Sequence, residues 1–134
     1  MTLAVHHLAV CVTDLDRAEK FYGGALGLTV LRRFSDERGQ PRSIWFALAH
    51  DAFLAVEKVA RANPRGGDQP GWHCAALAIS LAEREPWRAR LAAAGHPVLR
   101  ETSYTLYSRD PDGNLVALSH YPEGCPTAPS QEES

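Results

Sequence analysis

Two histidines in matching surroundings are the residues of this chain best suited to chemistry. His7 and His73 each stand near the start of a short apolar segment, sixty-six residues apart in the sequence. A neutral imidazole nitrogen binds transition metals and acts as a general base near neutral pH. A lone histidine on a half-buried strand is more often a packing residue, so the presence of two is the signal for function.

The residues around the two histidines repeat in the same order. Each histidine is followed by a strand pattern, a charged helix start and a glycine, Gly27 in the first half and Gly95 in the second. The spacing from histidine to glycine is twenty residues in the first half and twenty-two in the second. The match predicts two copies of one strand-helix-strand unit, with His7 and His73 at equivalent positions.

The apolar segment 5–12 predicts the strand that carries the first histidine. Alternation divides its side chains between two faces, with His7, Ala9 and Cys11 on one and His6, Leu8, Val10 and Val12 on the other. We expect a helix to cover the second face because it holds the large aliphatic side chains. His7 then lies on the face that the helix leaves open.

An amphipathic helix is predicted after each of the two first strands. The first is capped by Thr13 or Asp14, and its apolar stripe is Leu15, Ala18, Phe21 or Tyr22, and Ala25. The second begins near Glu85, because Pro86 would clash with the preceding turn in a helix that started at Ser80. Its predicted buried stripe is Trp87, Leu91 and Ala94, and Gly95 ends it.

Six further strands are predicted from short apolar segments bounded by turn residues. They are residues 29–34, 43–49 and 53–59 in the first half and 97–101, 104–109 and 115–121 in the second. Residues 35–41 form one polar connection, and Asp110-Pro111-Asp112-Gly113 forms a tight turn. Arg32 and Arg33 are neighbours in a strand, so they point to opposite faces.

Composition limits the class of protein. A chain of 134 residues suits one domain, expected at residues 1–121, with module one at 3–59, a linker at 60–71 and module two at 72–121, followed by a disordered tail at 122–134. The net charge of −2 and the pI near 6.3 disfavour nucleic acid and anionic membranes as partners. Cys11, Cys74 and Cys125 lack metal-ligand spacing, and we expect reduced thiols in a cytoplasmic protein that is neither exported nor membrane-spanning.

Several of these residues together form a recognisable pattern. They are His7, Val12, Asp14, Phe21-Tyr22, Leu26-Gly27-Leu28, His73 and Asp110-Pro111-Asp112-Gly113-Asn114. In this pattern the chain resembles, over residues 3–121, the vicinal oxygen chelate superfamily of glyoxalase I, bleomycin- and fosfomycin-resistance proteins and extradiol dioxygenases. The resemblance implies an α+β fold of two βαβββ modules forming a cup-shaped mixed sheet with helices on the outer face, and a homodimer. It is unspecific for the chemistry, because one scaffold hosts many activities.

The resemblance also implies four metal-ligand positions. His7 and His73 occupy those on the first strands, and the position of the last carboxylate falls on Ala117, which cannot bind a metal. The remaining position falls on Ala55 or, one strand period further, on Glu57. His7, His73 and Glu57 would form a site for Fe, Mn, Ni or Zn. Two histidines alone hold a divalent ion weakly, and we favour the metal-free alternative.

Small and aromatic side chains are expected to line the ligand site. They are Trp45, Ala55, Tyr107, Ala117, Ser119 and Tyr121, with Arg32 or Arg33 at the rim. Tryptophan and tyrosine combine apolar area with a hydrogen-bonding tip, which suits a planar ligand, although strand packing alone also explains Trp45. His120 is expected on the helix side, in a structural role.

Two functions therefore compete, with a third that fits less well. A small-molecule binding protein without turnover is favoured by the alanines at the ligand positions. The alternative is a metal-dependent lyase, isomerase or dioxygenase acting on a substrate with vicinal oxygens, with Glu57 and Tyr107 as catalytic groups. A regulatory domain whose cup is filled by its own side chains is disfavoured, because Ala55, Ala75 and Ala117 are small.

Overall fold

The chain forms two modules of the same design in a computed structural model that describes residues 1–61 and 70–124. It divides between Gln69 and Pro70 into two compact units, and each unit has the element order strand, helix and three strands. The predicted α+β fold of two βαβββ modules is confirmed. Most of the predicted linker and residues 125–134 of the predicted tail, with Cys125, lie outside the described residues.

The first module is a four-stranded mixed sheet covered by one helix. Its elements are β1 at His7–Val12, α1 at Leu15–Glu19 with a π-helical turn at Lys20–Ala25, β2 at Val30–Ser35, β3 at Pro41–Ala47 and β4 at Phe53–Lys58. The strand order is β1-β4-β3-β2, with β1 parallel to β4 and the other pairs antiparallel. The face away from the module's own helix is called its open face below.

Helix α1 covers the aliphatic face of this sheet, as the alternation predicts. Asp14 is the N-cap, and its Oδ1 accepts from the backbone N–H of Arg17 at 3.0 Å. In the π-helical turn the N–H of Leu26 donates to the carbonyl of Phe21. This wider turn buries the rings of both Phe21 and Tyr22, where the sequence pattern predicts one of the two.

The second module repeats the arrangement with shorter strands. Its elements are β5 at Ala75–Ala78, a 3₁₀ turn at Leu81–Glu83, α2 at Arg84–Ala93, β6 at Arg100–Glu101, β7 at Thr105–Arg109 and β8 at Leu115–Ser119. The strand order is β5-β8-β7-β6, with β5 parallel to β8. The Asp110–Gly113 turn is confirmed, with the N–H of Gly113 donating to the carbonyl of Asp110.

The 3₁₀ turn explains how the second helix accommodates its proline. Ser80 and Glu83 form a capping box, and the regular helix starts only at Arg84, so Pro86 stands in its first turn as predicted. The predicted stripe is correct for Leu91, which is 2% exposed, and wrong for Ala94, which is exposed at the C-cap. None of the described helices is long and apolar enough to cross a membrane.

Candidate functional site

A bulge in the β2–β3 pair decides which side chains share the open face of the first sheet. Val30 pairs with Phe46 on the helix side, but the next pair is Arg32 with Trp45, which leaves Leu31 as an extra residue. An extra residue reverses the alternation that follows it. Arg32 therefore lies on the open face with Trp45.

Arg33 points to the opposite side and pairs with the helix. Its guanidinium donates to both carboxylate oxygens of Glu19 at 2.7 and 2.6 Å. This bidentate pair raises the pKa of Arg33 and lowers the pKa of Glu19. The two neighbouring arginines thus have different roles, and Arg32 is the one at the predicted ligand face.

An aromatic row crosses the whole open face of the first sheet, with one ring from each strand. The row is His7, Phe53, Trp45 and Phe34, with successive centroids 4.7, 4.2 and 4.8 Å apart. The first two pairs have interplanar angles of 4° and 20°. These rings stack face to face, so they stand on the sheet and present their edges outward. His7 is exposed and the other three rings are half-buried.

His6 extends the row, contrary to the prediction that it lies under the helix. Strand β1 begins at His7, so His6 does not follow the strand alternation. Its ring centroid is 5.2 Å from that of His7 and 5.7 Å from that of Phe53. The two Nδ1 atoms are 2.9 Å apart, so one imidazole donates a hydrogen bond to the other.

Glu57 lies on the open face but far from His7 along the strands. The parallel β1–β4 register places Phe53 opposite His7 and Glu57 opposite Cys11. Glu57 is four residues beyond Phe53, about 13 Å along the strand. Ala55 and Glu57 share this face, because the alternate residues Leu54 and Val56 pair with Phe46 and Ile44 of β3 on the helix side.

The described donor atoms do not form a metal centre. No three His, Cys, Asp or Glu side chains within residues 1–61 and 70–124 lie close enough together to hold an ion. The fourth strands carry Ala55 and Ala117, which have no donor atoms and are 3% and 0% exposed. These residues do not fit the metal that the resemblance implies, and no metal-dependent step follows from them.

Tyr107 is the centre of the open face of the second sheet. It is 1% exposed and pairs with Ala117 in β8 and Arg100 in β6. The guanidinium carbon of Arg100 is 4.2 Å from the centroid of the Tyr107 ring, a cation–π contact. The ring of His73 lies edge-on to Tyr107, with centroids 6.1 Å apart. This face therefore places an exposed cation over a buried phenol ring.

The predicted equivalence of His7 and His73 is wrong by one residue, as the strand registers show. The cross-strand row Ala9, Ala55 and Trp45 in the first sheet matches Ala76, Ala117 and Tyr107 in the second. Two residues before Ala9 is His7, whereas two residues before Ala76 is Cys74. The helix N-cap, Asp14, follows Ala9 by five residues, whereas the N-cap Ser80 follows Ala76 by only four. Because the spacing from histidine to cap is the same in both halves, the sequence alone does not reveal this one-residue difference. Burial raises the pKa of the Cys74 thiol, and nearby Arg100 opposes that rise.

The other residues expected in the second module have identifiable partners. Ser119 accepts a hydrogen bond from the Thr105 hydroxyl at 2.9 Å. Tyr121 lies beyond β8, is 67% exposed and packs edge-on against Tyr104. His120 is 2% exposed, and its two ring nitrogens lie 2.8 Å from Nη1 of Arg84 and 2.6 Å from the carbonyl of Glu123. The structural role predicted for His120 is confirmed.

Three residues of the first open face were missed in the sequence. Phe53 has the same parity as Ala55 and Glu57, so alternation alone was enough to find it. Phe34 reaches this face only through the bulge at Leu31, for which the sequence has no clear signal. Ser43 is a 2% exposed serine whose Oγ has no hydrogen-bond partner among the described residues.

Comparison with protein families gave a match to one family model. The family model described as Glyoxalase/Bleomycin resistance protein/Dioxygenase superfamily matches residues 4–118. A search of curated proteins gave no match.

Three solved structures illustrate the similarity of fold. A glyoxalase/dioxygenase from Nostoc punctiforme has 18% identity and a TM-score of 0.72, with 86% of this chain and 88% of that chain covered. A mutant of the fosfomycin resistance protein FosX from Listeria monocytogenes, complexed with Mn(II) and 1S,2S-dihydroxypropylphosphonic acid, has 18% identity, a TM-score of 0.72 and coverages of 90% and 94%. Lactoylglutathione lyase from Agrobacterium tumefaciens has 23% identity, a TM-score of 0.62 and coverages of 87% and 92%.

Proposed function

Because the chain belongs to the Glyoxalase/Bleomycin resistance protein/Dioxygenase superfamily, we propose that it binds a small organic ligand with a planar, aromatic part. The ligand lies on the open face of the first sheet. Binding takes place without a complete metal site. The observation that carries the proposal is the aromatic row of His7, Phe53, Trp45 and Phe34.

The row suits an aromatic ligand because of how its rings are stacked. An aromatic ring has a negative face and a positive edge, so rings that present their edges attract the face of a second ring. A flat ligand placed across Trp45 and Phe53 would make such edge-to-face contacts with both. Ala55, the buried cross-strand partner of Trp45, adds no large side chain to this part of the face.

Within the second module, the residues proposed to bind ligand are Tyr107, Ala117, Ser119 and Tyr121, with His73 beside the Tyr107 ring. The proposal also includes a cytoplasmic homodimer, since two-fold dimers are the commonest soluble homo-oligomers. Reduced thiols at Cys11 and Cys74 suit that reducing compartment.

The test is an NMR titration with 2-naphthamide, a neutral planar probe. The indole N–H signal of Trp45 should shift on titration, and that of Trp87, on helix α2, should not. A probe of this size should bind with a dissociation constant of roughly 1 mM. Trp45→Ala should weaken binding roughly tenfold, since loss of an aromatic contact costs about 1–3 kcal/mol.

Trp87→Ala is the matched control and should leave the affinity within about twofold of wild type. Trp87 already packs against the guanidinium of Arg90, with the carbon 5.0 Å from the ring centroid. Absence of any naphthamide binding, or equal affinities of wild type and Trp45→Ala, would refute the proposed function.

A further inference from the structure

We infer that the ligand carries an anionic group, such as a carboxylate, sulfonate or phosphonate, at the β2 end of the aromatic row. Arg32 and Arg42 bind this group, and the Ser43 hydroxyl donates a hydrogen bond to it. The inference rests on the proposed function and adds the charge and the orientation of the ligand.

Two guanidinium groups converge on the last ring of the row. The guanidinium carbons of Arg32 and Arg42 are 5.3 and 5.8 Å from the centroid of the Phe34 ring. Both side chains are exposed. Neither forms an ion pair with an acidic side chain in the described part of the chain, unlike Arg33 with its bidentate partner Glu19. The two cations therefore keep their donors available for a ligand.

A second bulge brings Arg42 to this end. The pair Phe34–Ser43 is followed by Ser35–Pro41, which leaves Arg42 as an extra residue of β3. In regular alternation Arg42 would point with Ile44 toward the helix. The bulge instead lets its guanidinium reach the ring of Phe34 on the open face, the kind of redirection that bulges provide beside functional sites.

The unpaired hydroxyl of Ser43 is the independent observation that points to a ligand. Ser43 stands between Phe34 and Glu57 in the strand register, on the open face. It is 2% exposed, and its Oγ lacks a partner among the described residues. An unsatisfied buried hydroxyl destabilises the fold, and a ligand acceptor would offset this effect once the exposed side chains nearby move aside.

The acidic groups nearby fix the direction in which the anion must lie. Glu57 is on the same face beyond Ser43, so an anion is repelled from the β4 side and attracted to the β2 side. Asp36 and Glu37 of the adjoining hairpin line one pocket with Arg38 and Arg42, and the carboxylate of Asp36 accepts from the backbone N–H groups of Arg38 and Gln40. The aromatic part of the ligand then extends from Phe34 toward Trp45 and Phe53.

The experiment compares 2-naphthoate with 2-naphthamide, which share the ring system and differ in charge. Wild type should bind naphthoate roughly tenfold more tightly at low salt, since two partly screened charge contacts contribute about 1 kcal/mol or slightly more in total. The preference should fall as ionic strength rises. The double variant Arg32→Gln/Arg42→Gln should bind both probes equally.

Arg33→Gln is the matched control, because it removes the same charge from the adjacent residue on the opposite face. It should keep the preference for naphthoate. Equal binding of the two probes by wild type, or a preference that survives the double variant, would overturn the inference while leaving the proposed function standing. If neither probe perturbs Trp45, both proposals fall.

Discussion

At the scale of single residues, two buried serines, one with and one without a hydrogen-bond partner, test whether the Ser43 hydroxyl is unsatisfied. Ser43 and Ser108 are each 2% exposed, but the Ser108 hydroxyl donates to the carbonyl of His96 at 2.8 Å and Ser43 has no such partner. Ser43→Ala should raise the free energy of unfolding by about 1 kcal/mol, and Ser108→Ala should lower it by about 1 kcal/mol.

Urea denaturation of the two variants measures these differences. In the same Ser43→Ala protein, affinity for 2-naphthoate should fall while stability rises. A destabilised Ser43→Ala protein would show that the hydroxyl already has a hydrogen-bond partner in solution and is not available to a ligand.

Substitution of Glu57 should strengthen ligand binding under one of the two competing functions and abolish metal binding under the other. If the ligand is an anion, Glu57→Gln removes a repulsive charge and should tighten 2-naphthoate binding about two- to fivefold. If Glu57 is a metal ligand, the same change should abolish binding of a divalent ion. Calorimetric titrations of the variant with naphthoate and with Mn²⁺ distinguish these outcomes, with Asp16→Asn in the first turn of α1 as the charge-matched control on the helix side of the sheet.

At the scale of elements, helix α2 is joined to the short strand β6 by a charged cluster. Glu101 accepts from Arg84 at 3.1 Å and from Arg88 at 2.8 Å. Hydrogen bonds from Arg88 and then Arg84 lower the pKa of Glu101 from 4.5 to about 2. Strand β6 has only two residues, so this cluster supplies a large part of its attachment.

The lowered pKa predicts a defined pH dependence. A depressed carboxyl pKa stabilises the fold above the ordinary value of 4.5, and this contribution is lost as the pH falls through about 2. Glu101→Gln should therefore cost about 1 kcal/mol at pH 7, a value reduced by solvent screening of a side chain that is 46% exposed. The difference from wild type should shrink below pH 4.5.

Urea denaturation at several pH values measures this dependence. Glu85→Gln, at a residue that pairs with Arg88 alone and is 70% exposed, is the control and should cost less than half as much. A Glu101→Gln penalty that stays constant down to pH 2 would contradict the assignment.

Regular alternation explains which elements the sequence predicts well. The α1 stripe and the two faces of β1 follow from side-chain periodicity, and the structure agrees with them from His7 onward. The β2–β3 pair does not follow it, because the bulges at Leu31 and Arg42 depend on cross-strand pairing that one strand's sequence does not contain. In the aromatic row, His7, Trp45 and Phe53 therefore follow from alternation, whereas the position of Phe34 depends on the bulge at Leu31.

At the scale of the whole molecule, the repeated βαβββ unit was predictable because glycines, caps and apolar segments recur in order. The relative position of His7 and His73 was not predictable. The connection from the first strand to the helix cap is one residue shorter in the second module, so His73 is displaced by one residue in the strand register. The alanines at the fourth-strand positions, Ala55 and Ala117, are buried and supply no donor atom for a metal.

Metal content is the corresponding whole-molecule prediction. The purified protein should contain much less than one equivalent of divalent metal, and Mn²⁺, Ni²⁺ or Zn²⁺ at millimolar concentration should raise the Tm only slightly. A tight site would stabilise the protein by about 2.7 kcal/mol at a hundredfold excess of metal over its Kd. One tightly bound equivalent, lost in His7→Ala and in His73→Ala, would replace the binding-protein proposal with the metal-enzyme alternative.

Self-association is a separate prediction of the proposed assembly. Sedimentation velocity at micromolar protein concentration should show a dimer, with a mass near twice 14.7 kDa. The same experiment in the presence of 2-naphthoate indicates whether ligand binding changes the assembly. A single monomer species across this concentration range would contradict the homodimer.

The two faces of the first sheet have different roles, and this separation affects how the ligand preference of such a protein can change in evolution. The side chains packed under α1 hold the fold together, whereas the rings of the aromatic row alternate with them along the same strands. A substitution in the row therefore leaves the helix-side packing intact. Because each strand supplies one ring, new ligand preferences are accessible one strand at a time, at small cost to the stability of the scaffold.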